Sequence, residues 1–283
     1  MKPKIVFVGG LTNGLVALKY IANSKLTNIK LIFTHPKEVM LPRKTDISFH
    51  TKKKIIYQNN LDKHYSDIKK INPDFIFVVG WPYLISEKIL AIPKRGSIGF
   101  HPSKLPKDRG RSVLAWQIED GYRKTALTMF YLKKKVDQGD IIDQHNIRIK
   151  KTDYINDILD KVDNATYQLL KKNFKNIISN KIKRKPQKEN YSSYRKLRDE
   201  SNSIINWNCE SIKIYNKIRA ISKPYPGAIA KIGGTNFKVW RAYILNSHRL
   251  ENILLTGEFR KIGDCFFVKT MDKILKITNF EKI

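Results

Sequence analysis

Short apolar runs alternate with amphipathic stretches through the first part of the chain. Residues 4–10 (KIVFVGG), 30–34 (KLIFT), 54–58 (KIIYQ) and 75–80 (FIFVVG) are short, mostly apolar runs, the length of a buried strand. Between several of them lie helix-like patterns such as GLVALKYIAN and LDKHYSDIKKI. Strands alternating with helices predict an α/β, Rossmann-like, mostly parallel sheet with helices on both faces. Ligands of such sheets sit beyond the carboxyl ends of the strands. That edge is where chemistry is sought.

Three more strands are predicted at 96–101 (GSIGFH), 126–132 (ALTMFYL) and 140–149 (DIIDQHNIRI), with a short helix over 112–121 that stops at Gly121. From Asp153 to about Lys181 one long helix is expected, because Ile155, Ile158, Leu159, Val162, Leu169, Leu170, Phe174 and Ile177 share a face. Pro186 and the polar run that follows read as a linker over 186–203. Beyond it come a helix (209–221), the turn KPYPGA and short β-like runs near 228–232, 236–245, 257–263 and 265–283. One helix with several short strands suits a small OB-like β-barrel. The expected division is a domain over 1–185, the linker, and a β domain over 204–283.

Composition narrows this picture only in part. A chain of 283 residues suits two domains, and 41% hydrophobic residues can fill a core in each. No run approaches the ~20 apolar residues of a membrane span, and the apolar start is too short for a signal peptide. Two cysteines, Cys209 and Cys265, make neither a disulfide framework nor a metal site. The expectation is a reduced, cytoplasmic, metal-free protein with no membrane partner. The net charge of +30 makes an anionic substrate the expected one. Residues 171–198, the densest basic run, read as a solvated helix end and linker.

Candidate chemistry gathers at one strand end. His101 closes the run GSIGFH, and Pro102 biases it toward extended geometry. Asp137 and Asp140 lie in a turn, KKKVDQGD, between two strands that can neighbour that of His101. A histidine and a carboxylate brought to one sheet edge make an acid–base pair. The other histidines (His35, His50, His64, His145, His248) have no such setting and read as surface or packing residues. The turn VGGLTNG lacks both the G-x-G-x-x-G spacing and a Lys-Ser/Thr ending, so it is not taken as a phosphate loop.

GSIGFHPSKLPKDRGRSVLAWQIEDG, followed by VDQGDII, resembles the folate-dependent formyltransferase family, which includes methionyl-tRNA formyltransferases and nucleotide-sugar N-formyltransferases. The family's histidine falls on His101 and its aspartate on Asp137. VVGWPYLISEKIL resembles the segment that holds the pterin ring, and INW, NKIRAISKPYPGAI and FKVWRA resemble the barrel that follows the catalytic domain. The resemblance implies 10-formyltetrahydrofolate as formyl donor. It implies Gly80, Trp81, Tyr83, Leu84, Ile85, Lys135 and Val136 at the folate, and Gly99, Ser103, Arg109 and Arg111 at the substrate.

One position departs from the pattern. Gly99 stands where the family carries an asparagine that bonds the formyl oxygen. Gln138, Gln117 and Asn13 are substitute donors by residue type, and Gly99→Asn is expected to fit the strand if the neighbouring face has room. The favoured acceptor is a nucleotide-linked amino sugar, handled by a protein that could form a homodimer. Segment 35–53 is short and only moderately basic, which argues against methionyl-tRNA; nucleic acid is a partner only in that alternative. A homologue that binds folate or sugar nucleotide without catalysis, having lost the asparagine, is the third reading.

Overall fold

The computed structural model describes residues 1–246 and 249–283. His248, expected as a surface or packing residue, lies outside the described residues. The chain folds into two compact units. One gathers Met1–Gly110, Thr125–Ile147 and Asp160–Tyr194; the other gathers Arg111–Lys124, Arg148–Leu159 and Arg195–Ile283. Neither is contiguous in sequence, because 111–124 and 148–159 leave the first unit and return to it.

The first unit is built on a seven-stranded sheet. Its strands are β1 (Lys4–Val8), β2 (Asn28–Thr34), β3 (Ile55–Tyr57), β4 (Phe75–Val78), β5 (Gly96–His101), β6 (Lys124–Tyr131) and β7 (Ile141–Arg148). They lie in the order β3-β2-β1-β4-β5-β6-β7. Neighbours from β3 to β5 are parallel, and β6 runs antiparallel to β5. The strand order turns at β1 and β4, as in other open α/β sheets.

Helices cover both faces, and the period-2 pattern shows why. Val6, Val8, Leu31, Phe33, Ile76 and Val78 pack with Ile68 of α2 (Tyr65–Ile71) and Ile89 of α3 (Glu87–Leu90). On the opposite face Phe77 meets Phe174 of α5 (Ile155–Ile178), which also meets Tyr20 of α1 (Thr12–Asn23). With apolar side chains on both sides of each strand, the runs read as continuous rather than alternating. β1 stops at Val8 although the apolar run continues to Gly10. A Cβ at Gly9 would lie 2.1 Å from the Val79 carbonyl oxygen, and one at Gly14 2.6 Å from it. These glycines permit close packing of the β1–α1 turn on the end of β4.

The second unit holds α4 (Val113–Glu119), α6 (Ser211–Ala220) and a five-stranded antiparallel sheet. The strands are β8 (Ala228–Ile232), β9 (Thr235–Leu245), β10 (Phe259–Ile262), β11 (Cys265–Lys269) and β12 (Ile274–Lys282), in the order β8-β9-β12-β11-β10. The single run expected over 265–283 is two strands. Thr270 turns the chain by bonding Lys273 through backbone and hydroxyl. Among the described residues no helix is long and apolar enough to cross a membrane.

Candidate active site

β5 delivers His101 to the carboxyl edge of the sheet, where it pairs with Thr128 of β6. The β6–β7 turn delivers Asp137, whose φ of 56° lies in the left-handed region that a non-glycine residue adopts at a cost. His101 Nδ1 stands 3.5 Å from Asp137 Oδ2, and both side chains are largely buried. Nε2 stands 2.8 Å from the carbonyl oxygen of Asp108, which can only accept, so Nε2 carries the hydrogen. A second ring hydrogen, on Nδ1, faces the Asp137 carboxylate, so Nδ1 is the nitrogen that takes up or releases a proton. The amide of Gly110 donates to Asp137 Oδ2 at 2.9 Å and fixes the carboxylate's direction.

The basic loop after His101 is put to a different use from the one expected. Arg109 is fully buried. Its Nε and Nη2 donate to Gln187 Oε1, and its Nη1 donates to Glu189 and to the Tyr194 hydroxyl. Ser103, also fully buried, donates to the Lys107 carbonyl, while its own carbonyl accepts from Thr128. Both were expected at the substrate; in this structure their donors bond within the chain. Arg111 is exposed and belongs to the second unit, its amide bonded to the Arg195 carbonyl.

Gly99 faces an apolar wall. A Cβ there would come within 2.6 Å of Leu132 Cδ2 and 3.0 Å of Cγ. Leu132 packs in turn on the core of that sheet face. The condition set for asparagine, room on the neighbouring face, is met only if the half-buried Leu132 side chain shifts. The three substitute amides are engaged or elsewhere. Gln138 donates to the Tyr194 hydroxyl, Gln117 is buried in the second unit, and Asn13 sits against Gly80.

The loop after β4 holds Gly80, Trp81, Tyr83, Leu84 and Ile85. Gly80 turns it with φ 64°. Trp81 and Ile85 pack on the sheet core, whereas Leu84 is 82% exposed. Trp81 stacks on His35, ring centroids 4.7 Å apart at 12°, with Tyr83 edge-on to both. His35 is 1% exposed, and burial pushes its pKa down to about 4. The Gly80 backbone beside the ring offsets part of that without completing a hydrogen bond. His35 is thus a packing residue, as expected, but one that carries the Trp81 loop. On the β6–β7 turn Lys135 and Val136 are exposed.

The segment between β2 and β3 folds down over the β1–α1 turn. Thr12 and Thr45 amides bond the Arg43 and Gly10 carbonyls. Lys44 Nζ is held by the carbonyls of Pro36, Lys37 and Val39, and Arg43 pairs with Asp160 and Asp163 at 2.8 Å each. Among the described residues no group of three or more His, Cys, Asp or Glu is placed to hold a metal ion.

A histidine paired with a carboxylate at the carboxyl edge of a Rossmann-like sheet, in a chain that continues into an antiparallel β module, has the layout of a group-transfer enzyme. Comparison with known proteins makes the class specific. Residues 4–173 match the Formyl transferase family and residues 198–282 the Formyl transferase C-terminal domain, so the chain belongs to the formyl transferase family. It is 34% identical over 236 residues to the bifunctional polymyxin resistance protein ArnA of Wigglesworthia glossinidia brevipalpis, covering 81% of this chain but 35% of that protein's length. It is 29% identical to the methionyl-tRNA formyltransferase of Mycoplasma capricolum, covering 99% of this chain and 91% of the other. A crystal structure of an N-formyltransferase from Helicobacter canadensis, in complex with folinic acid and dTDP-3-aminofucose, superposes with a TM-score of 0.74 over the whole of both chains at 22% identity.

Proposed function

We propose that this chain transfers a formyl group from 10-formyltetrahydrofolate to the amine of a nucleotide-linked amino sugar. The observation that carries the choice of acceptor is the folded-down segment between β2 and β3. Its Arg43 and Lys44 are spent on carboxylates and carbonyls of this chain, so they do not form a basic arm for a nucleic-acid backbone. The Helicobacter canadensis neighbour, with its amino-sugar nucleotide, supports the same choice. Exposed Leu84 and Val136 offer apolar surface on the two loops assigned to the folate, a chemistry that fits an aromatic ring.

In this reading the acceptor nitrogen bonds to the formyl carbon, the bond from that carbon to the folate nitrogen breaks, and one proton passes from the acceptor nitrogen to the departing folate nitrogen. Nδ1 of His101 is the base for that proton, directly or through a water, and Asp137 stabilises the charge the ring acquires. The hydrogen on Nε2 stays with the Asp108 carbonyl. We assign Arg111 to the acceptor's phosphates on its charge and exposure.

Methionyl-tRNA is the second acceptor to weigh, because the Mycoplasma capricolum relative matches almost end to end. One experiment separates the two. Purified protein is given 10-formyltetrahydrofolate with a panel of UDP- and dTDP-linked 3- and 4-amino sugars, and separately with methionyl-tRNA. Formylation of a sugar nucleotide is expected; formylation of methionyl-tRNA alone overturns the proposal.

A further inference from the structure

Asp137 lies in a turn held partly by residues outside it. Its φ is 56°, and Gly139 runs so close to β6 that a Cβ there would lie 1.5 Å from the Tyr131 carbonyl oxygen. A backbone held this way persists only where its surroundings over-determine it. Those surroundings include one side chain from a segment fifty residues away. Gln187 Nε2 donates to the Asp137 carbonyl at 2.8 Å and to the Gly139 carbonyl at 2.7 Å, bridging the two sides of the turn.

Gln187 is itself placed on three sides. Lys185 pairs with Ile141 through both backbone bonds, at 2.8 and 3.0 Å, which anchors the segment beside the first residue of β7. Pro186 then fixes φ for the step into Gln187. The amide oxygen accepts from Arg109 at 2.9 and 3.2 Å, so only the NH2 group can face the turn. Arg109 also ties the two elements by its backbone, since its amide donates to the Ser193 carbonyl at 2.8 Å. The result is a relay: buried Arg109 orients the Gln187 amide, and Gln187 holds the backbone that carries Asp137.

We infer that Gln187 is a positioning residue for Asp137, acting through the Asp137 and Gly139 carbonyls and oriented by Arg109. The inference rests on the reading of His101 and Asp137 as the reacting pair. Because catalysis responds to displacements of about an ångström, a slackened turn lowers turnover.

Gln187→Glu is the informative variant. It keeps an acceptor for Arg109, so the buried guanidinium retains a partner, but it cannot donate to either carbonyl. Gln187→Ala serves as the second variant, with Arg109 still held by Glu189 and Tyr194. Turnover is measured with dTDP-3-aminofucose and with methionyl-tRNA as acceptors. Each variant is expected to lose about ten-fold in kcat with KM for the acceptor unchanged, and less than two-fold when Asp137 is already Asn. An equal loss in both backgrounds, or no loss in either, overturns the inference. If Asp137→Asn alone costs nothing, the reading of the pair fails first. Hydrogen exchange supplies an arm that needs no acceptor. The Gly110 amide, bonded to the Asp137 carboxylate, is expected to exchange at least ten-fold faster in Gln187→Glu while β1 and β4 amides do not change; unchanged exchange at Gly110 overturns the inference.

Discussion

His101 Nδ1 lies 3.5 Å from Asp137 Oδ2, while its Nε2 is tied to the Asp108 carbonyl at 2.8 Å. The second contact decides what the first can do. With Nε2 holding a hydrogen, the nitrogen beside the carboxylate is the one that takes up or releases a proton. His101→Asn and Asp137→Asn should each lower turnover by at least ~100-fold, as expected for positioned acid–base groups. Steady-state kinetics with a matched melting curve checks this; either variant turning over near the wild-type rate in a folded protein contradicts it.

Gly99 and Leu132 form an interlocked pair. Gly99→Asn alone should destabilise the protein by about 1–3 kcal/mol, the usual effect of forcing atoms into a packed core. Combining it with Leu132→Ala should recover most of that loss, because the space is then vacated. Denaturant midpoints of the wild type, the two single variants and the double variant measure the coupling. Strictly additive effects would mean that Leu132 is not the obstacle.

His35 should make the protein acid-sensitive. Its folded-state pKa is held at about 4 against 6.5 for an unhindered imidazole. Between those values the unfolded chain binds a proton that the folded chain refuses, so stability declines as pH falls from about 6.5 toward 4 and is fully present above that window. His35→Phe keeps a ring against Trp81 and has nothing to titrate. Chemical denaturation at about pH 7 and about pH 5, on either side of the free imidazole's value, should show a smaller loss for His35→Phe than for the wild type. Equal losses would count against this assignment.

Tyr154 closes an irregularity in the second unit. The β9–β12 register shifts beside Ala242, and the Tyr154 hydroxyl donates to the Ala242 carbonyl at 3.0 Å while accepting from its amide at 3.3 Å. Tyr154→Phe should cost about 1–3 kcal/mol, the penalty for leaving buried polar groups without partners. A midpoint unchanged within error would show that other groups satisfy that backbone.

Most of the sheet was legible because its strands are short apolar runs separated by helical periods, and the end of each run marks the edge where ligands bind. His101 and Asp137 were legible from their places at a strand end and a turn. The internal bonds of Ser103 and Arg109 were not legible. A basic loop beside a histidine gives the same sequence signal whether its arginine faces a phosphate or a polar stretch about eighty residues onward. Gln187 gave no signal, since an amide in a run between prolines and lysines carries no period and no motif. The crowding at Gly99 was equally silent: it comes from a side chain just past the end of the adjacent antiparallel strand, and no local pattern records which rotamer fills a gap.

The bonds that Gln187, Glu189 and Ser193 make to the loops carrying Asp108, Arg109 and Asp137 bear on where this enzyme could be cut and joined. A transplanted segment ending at Lys185 would contain every recognisable motif of the first unit. It would nonetheless remove the side chain that bonds the Asp137 and Gly139 carbonyls, together with the acceptors of the Arg109 guanidinium. A junction placed after Tyr194 carries those partners along. The boundary that matters for grafting is therefore set by the last side chain that reaches back, well beyond the point where the sequence first turns polar.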